Sequence, residues 1–342
     1  MLRAGVLTGG GDSPGINAAL RSIVRFGFKQ NVETIGFLEG WRGPIEDLVR
    51  PLGVNDVSGI LTVGGTILGS SRTNPFKVEN GVERILRTLE REKIDFLIAI
   101  GGDDTLGVAH RLAEHGVKAV GIPQTIDNDI AMTDYSIGFS SALEVITDAL
   151  DRLHTTAFSH HRVLILEVMG RDAGWLSLFG GVAGGADVIL IPERDFDVEE
   201  VHRKILHRKT RGKHFSIVII AEGAKPTETN GQIVAEAEVD EFGHVRLGGV
   251  GQYLANQLSQ RLEMPVRVTN LAYLQRGGTP SPFDRILATR FGVAAIEFAL
   301  EKKFDVMTAL HGMQIEPVPL EEALSKPRPV DPGLFYLLDL FE

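Results

Sequence analysis

Four aspartates lie in two short loops between residues 94 and 129, and their placement could serve phosphate chemistry. Asp103 and Asp104 follow the apolar run IDFLIAI, whereas Asp127 and Asp129 follow the apolar run KAVGI. Carboxylates at such points can hold Mg²⁺ or take a proton from a hydroxyl group. Backbone amides at the start of a helix can hold the oxygens of a polyphosphate. The pattern therefore favours a site for a polyphosphate and its magnesium ion.

The elements that must position these aspartates are predicted to be two successive strand–helix units. IDFLIAI has the length of a strand and ends at Gly101-Gly102, whereas DTLGVAHRLAEHG has apolar residues at helical spacing and closes on a glycine. Both acidic loops then follow the carboxyl ends of parallel strands, where open α/β sheets bind their ligands. The simpler alternative is that the aspartates only cap helices, which is their common role in such loops.

Length and composition exclude several classes of protein. At 342 residues the chain is long for one core, so two α/β lobes are expected. A net charge of −10 argues against nucleic-acid binding and against binding to an anionic membrane. Without cysteine there is no disulfide framework and no thiolate nucleophile, which fits a cytoplasmic location. The start of the chain lacks the apolar region of a signal peptide, and no apolar run approaches the ~20 residues of a membrane span.

Two glycine-rich loops could also hold phosphates. GGGDSPGIN follows a strand predicted over Arg3–Thr8, and its glycines let backbone amides approach a ligand closely. Pro14 occupies the third glycine position of the dinucleotide fingerprint, which argues against an NAD-dependent oxidoreductase. GGTILGSSRTNP carries Arg72, but Ser70 stands where a P-loop needs lysine. The alternative for this second loop is a flexible surface turn.

The second half of the chain continues the pattern of buried strands followed by polar loops. RVLILEV, DVILIP, FSIVIIAEG and VRVTN have the length and apolar character of strands. Residues 224–247 are polar and irregular, which is compatible with a hairpin. Helices are predicted over residues 140–157, 197–209, 250–263 and 284–302.

Seven motifs, in this order, resemble those of the 6-phosphofructokinase family: GGGDSPGIN, GGTILGSSRTNP, GGDDT, PQTIDND, VMGRDAGW, AEG and YLQRGGTPSPFDR. The resemblance covers about residues 3–310. It implies an α/β fold of two Rossmann-like, three-layer lobes with mainly parallel sheets and an active site in the cleft between them. The expected segments are 1–138 plus 251–301 for the larger lobe, 139–250 plus 302–320 for the smaller lobe, and 321–342 for a C-terminal tail.

The resemblance also implies a reaction, the Mg²⁺-dependent transfer of a phosphoryl group to the 1-hydroxyl of fructose 6-phosphate. By motif position, Asp127 matches the general base, helped by Thr125, and Arg171 matches the residue that stabilises charge on the transferring group. Asp103 matches the Mg²⁺ site, with Asp129 nearby. A non-catalytic sugar-phosphate sensor on the same fold is an alternative, although a sensor would not need the base.

Other positions match the binding sites of the family. The donor site would include Gly11, Arg72, Gly102, Asp103, Asp104, Thr105 and Gln124. The sugar would contact Thr125, Asp127, Met169, Gly170, Arg171 and Glu222, and its 6-phosphate would contact Arg162, Arg267, Tyr273 and Arg276. In the family, the residues at the positions of Arg162 and Arg267 reach into a neighbouring subunit's site. The resemblance therefore implies a homotetramer, a dimer of dimers with shared active sites.

The phosphoryl donor depends on two positions. ATP-dependent members of the family typically carry glycine at the position of Asp104, where a carboxylate would crowd and repel the α-phosphate of a nucleotide. Pyrophosphate-dependent members usually carry lysine at the position of Gln124, and glutamine offers only a neutral amide donor. Because a buried like charge is harder to tolerate than a lost cation, pyrophosphate is favoured, with ATP as the alternative.

Overall fold

The computed structural model describes residues 1–229, 231–239 and 245–340. Its strands are β1 (Leu2–Thr8), β2 (Val32–Phe37), β3 (Val49–Leu52), β4 (Phe96–Gly101), β5 (Ala119–Thr125), β6 (Ile137–Gly138), β7 (Val163–Val168), β8 (Val188–Leu190), β9 (Ser216–Ala221), β10 (Val234–Val239), β11 (Val245–Leu247), β12 (Val266–Asn270), β13 (Val306–His311) and β14 (Gln314–Pro319). Its α-helices are α1 (Ile16–Lys29), α2 (Arg42–Glu46), α3 (Gly81–Arg91), α4 (Asp103–Ala113), α5 (Phe139–His160), α6 (Trp175–Ala183), α7 (Val198–Thr210), α8 (Val250–Ser259), α9 (Pro282–Leu300) and α10 (Leu320–Ala323). Short 3-10 helices span Ile60–Thr62, Pro75–Lys77, Ala272–Arg276 and Pro332–Asp339. Within these described ranges, no helix has both the length and the apolar character needed to cross a membrane.

The first sheet has the strand order β14-β13-β5-β4-β1-β2-β3, with β6 beside β5. The five inner strands run parallel, whereas β3 and β14 pair antiparallel at the two edges. Side chains of β4 alternate between the faces: Ile98 and Ile100 pack towards α1 and α9, whereas Leu97 and Ala99 pack towards α3 and α4. The first lobe therefore has three layers.

The second sheet has the order β12-β7-β9-β8, and all four strands are parallel. Leu164 and Leu166 pack against α5 and α6, whereas Val163 and Ile165 face the core that includes α7 and α8. Apolar residues on both faces of each strand are typical of a parallel sheet that is covered on both sides. The predicted α/β fold is confirmed. Strands β10 and β11 form a separate antiparallel pair, and their connection at 240–244 lies outside the described residues.

The lobe boundaries differ from those predicted at two segments. Residues 250–270 belong with the second lobe, because β12 pairs with β7 and α8 packs into the same core. Strands β13 and β14 belong with the first lobe, because β13 pairs with β5. The sequence had suggested the larger lobe for 251–301 and the smaller lobe for 302–320. Hydrogen-bonded strand pairing decides the lobe, and an apolar run does not specify its partner strand.

The segment that follows β14 packs on both lobes rather than extending away from them. Leu320 and Ala323 of α10 join the core formed by α3 and α4. Val330 and Leu338 are buried in the core of the second lobe. The predicted tail is therefore a connection between the lobes.

A buried carboxylate also joins the lobes. Asp284, in the first turn of α9, accepts hydrogen bonds from the backbone amides of Gly138 (3.0 Å) and Ser141 (2.8 Å) and from the Ser141 hydroxyl (2.6 Å). These amides begin α5, where helix donors lack partners within the helix and the dipole favours a negative charge. Because α9 packs in the first lobe and α5 in the second, Asp284 fixes the point at which the chain crosses between them.

We expect Asp284→Ala to lower the free energy of unfolding by about 2–4 kcal/mol, because it leaves buried donors at the start of α5 without an acceptor. Urea unfolding followed by circular dichroism measures this change. The matched control is Asp148→Ala on α5, which removes an exposed ion pair with Arg152 and should cost less than about 0.5 kcal/mol. Equal midpoints for the two variants would contradict the role of Asp284.

Candidate active site

Loops that follow strands of both sheets meet at one site. Asp127 lies two residues beyond β5 of the first sheet, Arg171 lies three residues beyond β7 of the second, and Arg276 ends the 3-10 helix that follows β12. The carboxylate of Asp127 interacts electrostatically with both guanidinium groups and with Asp103 at the start of α4. The structure therefore brings together residues that the sequence separates widely.

Asp127 has the environment expected of a proton acceptor. Its backbone N–H donates to Thr125 Oγ1 at 3.2 Å, and its buried Oδ1 accepts no hydrogen bond from any residue that the structure describes. Burial raises the pKa of Asp127, and the positive charges of Arg276 and Arg171 oppose that rise. A buried carboxylate oxygen without a donor is uncommon in proteins and often marks a functional group.

Three predicted donor-site residues form the amino end of α4. Gly102 precedes the helix, and Asp103 and Asp104 are its first two residues. Asp103 is exposed and Asp104 is half-buried. Amides in the first turn of a helix have no partner within the helix, and the helix dipole is positive there. This end of α4 can therefore hold carboxylates or phosphate oxygens.

Asp129 completes a group of acidic side chains. Burial, reinforced by the charges of Asp127 and Asp103, raises the pKa of Asp129 to about 8. Across the ranges that the structure describes, no three histidine or acidic side chains are arranged to hold a metal by themselves. Mg²⁺ usually binds one or two protein carboxylates together with substrate phosphates, and a cation would relieve the repulsion in this group. Asp103 and Asp129 therefore fit the magnesium ion predicted from the sequence.

The loop that carries Arg171 is fixed by its neighbours in the second lobe. The backbone amide of Gly223 donates to the Gly170 carbonyl at 3.1 Å, and the amide of Met169 donates to Oε1 of the buried Gln275 at 3.3 Å. The predicted sugar contact Gly170 therefore lies beside the loop that follows β9, and Met169 lies beside the 3-10 helix that follows β12.

Glu222 lies on that same loop and interacts with the acidic group. Burial, reinforced by the charge of Asp127, raises the pKa of Glu222 to about 7, and Arg171 opposes the rise. Near neutral pH its carboxyl group is partly protonated, so it can donate as well as accept a hydrogen bond. A sugar hydroxyl needs both kinds of partner.

A cleft of about 570 Å³ adjoins this site and contains two more of the predicted donor residues. Gly11 and Arg72 line it, as do Tyr273 and Arg276, which the sequence had suggested as contacts for the 6-phosphate. A Cβ atom at Gly11 would meet the guanidinium group of Arg276, so a larger residue there would displace this arginine from its present position. The cleft thus brings predicted donor and sugar-phosphate residues side by side.

Two predicted donor residues are buried behind the cleft. Gln124 is 1% exposed, and its Nε2 donates to the Gly11 carbonyl at 3.1 Å and to Ser13 Oγ at 2.9 Å. Thr105 is 2% exposed and packs so closely beneath Gly9 that a side chain there would collide with it. Both residues hold the first glycine-rich loop in place. Their direct contact with the donor stays a prediction.

Arg162 and Arg267 lie at the other end of the second sheet. Arg162 precedes β7, whereas Met169 follows it, and Arg267 pairs with Leu164 near the start of the same strand. Six residues of strand span about 20 Å. Within one chain these two arginines are therefore remote from Asp127.

A comparison with known proteins agrees with this arrangement: residues 3–299 match the Phosphofructokinase family model. The chain belongs to the phosphofructokinase family. It is 52% identical over 326 residues, 95% of each chain, to pyrophosphate–fructose 6-phosphate 1-phosphotransferase of Amycolatopsis mediterranei (strain S699). It is 48% identical over 324 residues to ATP-dependent 6-phosphofructokinase 3 of Streptomyces coelicolor (strain ATCC BAA-471 / A3(2) / M145), covering 94% of this chain and 95% of the relative. A crystal structure of Pichia pastoris phosphofructokinase in the T-state superposes with a TM-score of 0.85 at 31% identity, over 95% of this chain and 35% of that chain.

Membership of the phosphofructokinase family confirms the prediction that the chain is a phosphotransferase. The family motifs also contain supporting residues that the sequence reasoning missed. Buried Asn128 accepts from the amide of Ser136 at 2.9 Å and donates to the carbonyl of Asp134 at 3.2 Å. Asp172 adds to the negative charge near Asp127. Their place inside TIDND and MGRDAG was the available signal.

We expect Asp129→Asn to stabilise the chain at pH 9 by about 1–3 kcal/mol in metal-free buffer and to leave its stability at pH 4 unchanged. The folded pKa of about 8 exceeds the ordinary value of 3.8, so the native state binds the extra proton between these values. Stability therefore falls as the pH rises through this window, and a neutral side chain removes that loss. Thermal unfolding at both pH values measures the effect, with Asp151→Asn on the exposed face of α5 as the control. The hypothesis fails if Asp129→Asn and the wild type lose stability in parallel between pH 4 and pH 9.

Proposed function

We propose that this chain is a Mg²⁺-dependent phosphofructokinase that phosphorylates the 1-hydroxyl of fructose 6-phosphate with pyrophosphate as the donor. The observation that carries this proposal is the buried, unpaired Oδ1 of Asp127 opposite Arg171 and Arg276. Phosphorylated substrates of this kind belong to glycolysis, which fits the cytoplasmic location predicted from the sequence.

In the proposed reaction, the sugar hydroxyl oxygen bonds to one phosphorus of pyrophosphate while the bridging P–O bond breaks. Orthophosphate leaves with the bridging oxygen, and Asp127 takes the hydroxyl proton. Thr125 orients the loop through its contact with the Asp127 amide. Arg171 offsets the charge that develops on the transferring group, since such reactions depend on positioning and electrostatic stabilisation.

Asp103 and Asp129 would hold the magnesium ion. When bound, Mg²⁺ supplies positive charge to the phosphate oxygens of the donor. The carboxylates of this chain supply the matching negative charge, and burial together with the charges of Asp127 and Asp103 raises the pKa of Asp129. Arg72 and the amides at the start of α4 would bind the remaining donor oxygens.

Asp104 is the basis for choosing pyrophosphate. It lies in the first turn of α4, where its carboxylate would repel the α-phosphate of a nucleotide. Relatives 45–52% identical to the chain are named as pyrophosphate-dependent enzymes, which supports the choice. ATP is the alternative donor, since ATP-dependent relatives are 45–48% identical. Gln124 does not argue for ATP, because its amide supports the Gly11 loop.

The 6-phosphate would bind at an interface between subunits. Arg276 and Tyr273 lie beside the donor cleft, whereas Arg162 and Arg267 lie towards the opposite end of β7. Arginine forks suit a phosphate dianion, and Arg267 is exposed at the edge strand β12. We therefore propose a homotetramer in which Arg162 and Arg267 of one subunit complete the site of its neighbour.

We expect the wild type to turn over with pyrophosphate, reversibly, and poorly with ATP. Asp104→Gly should raise kcat/KM for ATP by about 10- to 1000-fold, because it removes both bulk and repulsion. Asp104→Asn is the matched control, since it removes the charge but keeps the bulk. Coupled assays with each donor measure these changes. A clear ATP preference in the wild type would overturn the donor assignment and leave the phosphofructokinase reaction standing.

We expect Asp127→Ser to lower kcat by about three to five orders of magnitude, because the base and its positioning are both lost. Arg162→Ala should mainly raise KM for fructose 6-phosphate, since a remote phosphate is bound alike in the ground and transition states.

Co-expressed with different affinity tags, the Asp127→Ser and Arg162→Ala variants should form hybrids that regain part of the activity at low substrate concentration. Purified hybrids without recovered activity would count against a shared site.

A further inference from the structure

Arg328 connects the C-terminal segment to the loop that follows β5. Its backbone amide donates to the Asp129 carbonyl at 2.6 Å. Its guanidinium Nη1 donates to the carbonyls of Thr133 (2.9 Å) and Asp134 (2.8 Å). One residue therefore holds both ends of the loop segment 129–134, directly beyond Asp127.

The same residue also contacts the second lobe. The indole Nε1 of Trp175 donates to the Arg328 carbonyl at 2.9 Å, and the guanidinium carbon lies 4.6 Å from the centroid of the indole ring. Trp175 is the first residue of α6, four residues after Arg171. Arg328 thus lies between the loop that carries the proposed base and the loop that carries the proposed charge-stabilising arginine.

A second contact secures the segment nearby. Glu193 Oε1 accepts from the amide of Val330 at 2.8 Å and from the amide of Gly174 at 3.0 Å. Gly174 precedes α6 directly, so this carboxylate ties the chain at Val330 to the end of the Arg171 loop. Residues 328–330 are therefore anchored on both lobes by polar contacts.

The surroundings of Arg328 favour arginine over lysine at this position. Arg328 is half-buried, and desolvation lowers the pKa of its guanidinium group, an effect that the charge of Asp134 opposes. Two carbonyls and an aromatic face compensate the buried cation. Lysine has neither the planar fork nor the ability to stack on the indole in the same way.

We propose that Arg328 is a positioning residue for phosphoryl transfer, which holds the loop of Asp127 and Asp129 at a fixed distance from the loop of Arg171. This inference rests on the proposed function. A displacement of about 1 Å between such groups can cost about 100-fold in rate, even when its origin is remote from the chemistry. Arg328 itself would not contact the substrates.

The test compares Arg328→Met, which keeps the length of the side chain, with Arg328→Lys in the donor assay. We expect Arg328→Met to lower kcat by about 10- to 100-fold with KM for fructose 6-phosphate within about threefold of wild type. The kcat of Arg328→Lys should lie between those of Arg328→Met and the wild type. Arg328→Ala should regain part of its lost kcat when guanidinium chloride is added at low concentration, a rescue that lost packing alone would not show.

The matched control is Arg194→Met, which removes a 3.1 Å ion pair between the second lobe and Asp339 in the same C-terminal segment. Its kcat should stay within twofold of wild type. Amide hydrogen exchange provides a readout without turnover: Arg328→Met should accelerate exchange in residues 127–136, and Arg194→Met should not.

Three results would overturn the positioning role: an unchanged kcat in Arg328→Met, an equal loss in Arg194→Met, or unchanged exchange in residues 127–136. If the wild type transfers phosphate from neither donor, the proposed function fails instead. The exchange measurement then decides alone whether Arg328 fixes the loop.

Discussion

The structure depends on keeping several carboxylates close together at the carboxyl ends of β4 and β5. Asp103, Asp127 and Asp129 repel one another, and burial adds to the cost of their charges. The cations that offset Asp127 come from the other lobe, on the loops after β7 and β12. Neither lobe can therefore form this site alone, and the distance between the lobes determines its electrostatics.

Two polar connections set that distance, and they differ in chemistry. Asp284 places a carboxylate from α9 on the free amides at the start of α5. Arg328 places a cation between the carbonyls after Asp129 and the indole of Trp175. Both use side-chain charge to satisfy backbone groups that secondary structure leaves unpaired. The cleft is thus bounded by contacts that are costly to break, and it can keep a site whose own charges are unfavourable.

Much of this architecture could be predicted from local sequence, and the exceptions have a common cause. Apolar runs such as IDFLIAI and RVLILEV specify buried strands, and glycines with aspartates specify the loops that follow. Strand partners were harder to predict: β13 joins β5 across a long separation, and nothing within FDVMTAL encodes that choice. The Gln124 amide likewise meets Ser13, 111 residues away. Motif position predicted Gln124 as a donor residue, but only tertiary contacts show that its amide faces the glycine-rich loop.

Because the Gln124 side chain faces the glycine-rich loop, Asp104 is the better candidate for the residue that selects the phosphoryl donor. Overall identity does not separate the donors, because the chain is 52% identical to a pyrophosphate-dependent relative and 48% identical to an ATP-dependent one. The Gln124 amide donates to the Gly11 carbonyl and to the Ser13 hydroxyl, so this residue supports the backbone of the glycine-rich loop. Asp104 differs, because its carboxylate adds charge at the helix end where donor oxygens would bind. A carboxylate at that place competes with phosphate oxygens for the same amides, and it would repel the α-phosphate of a nucleotide. Asp104 at the start of α4 can therefore select against a nucleotide donor even though position 124 carries glutamine and not lysine.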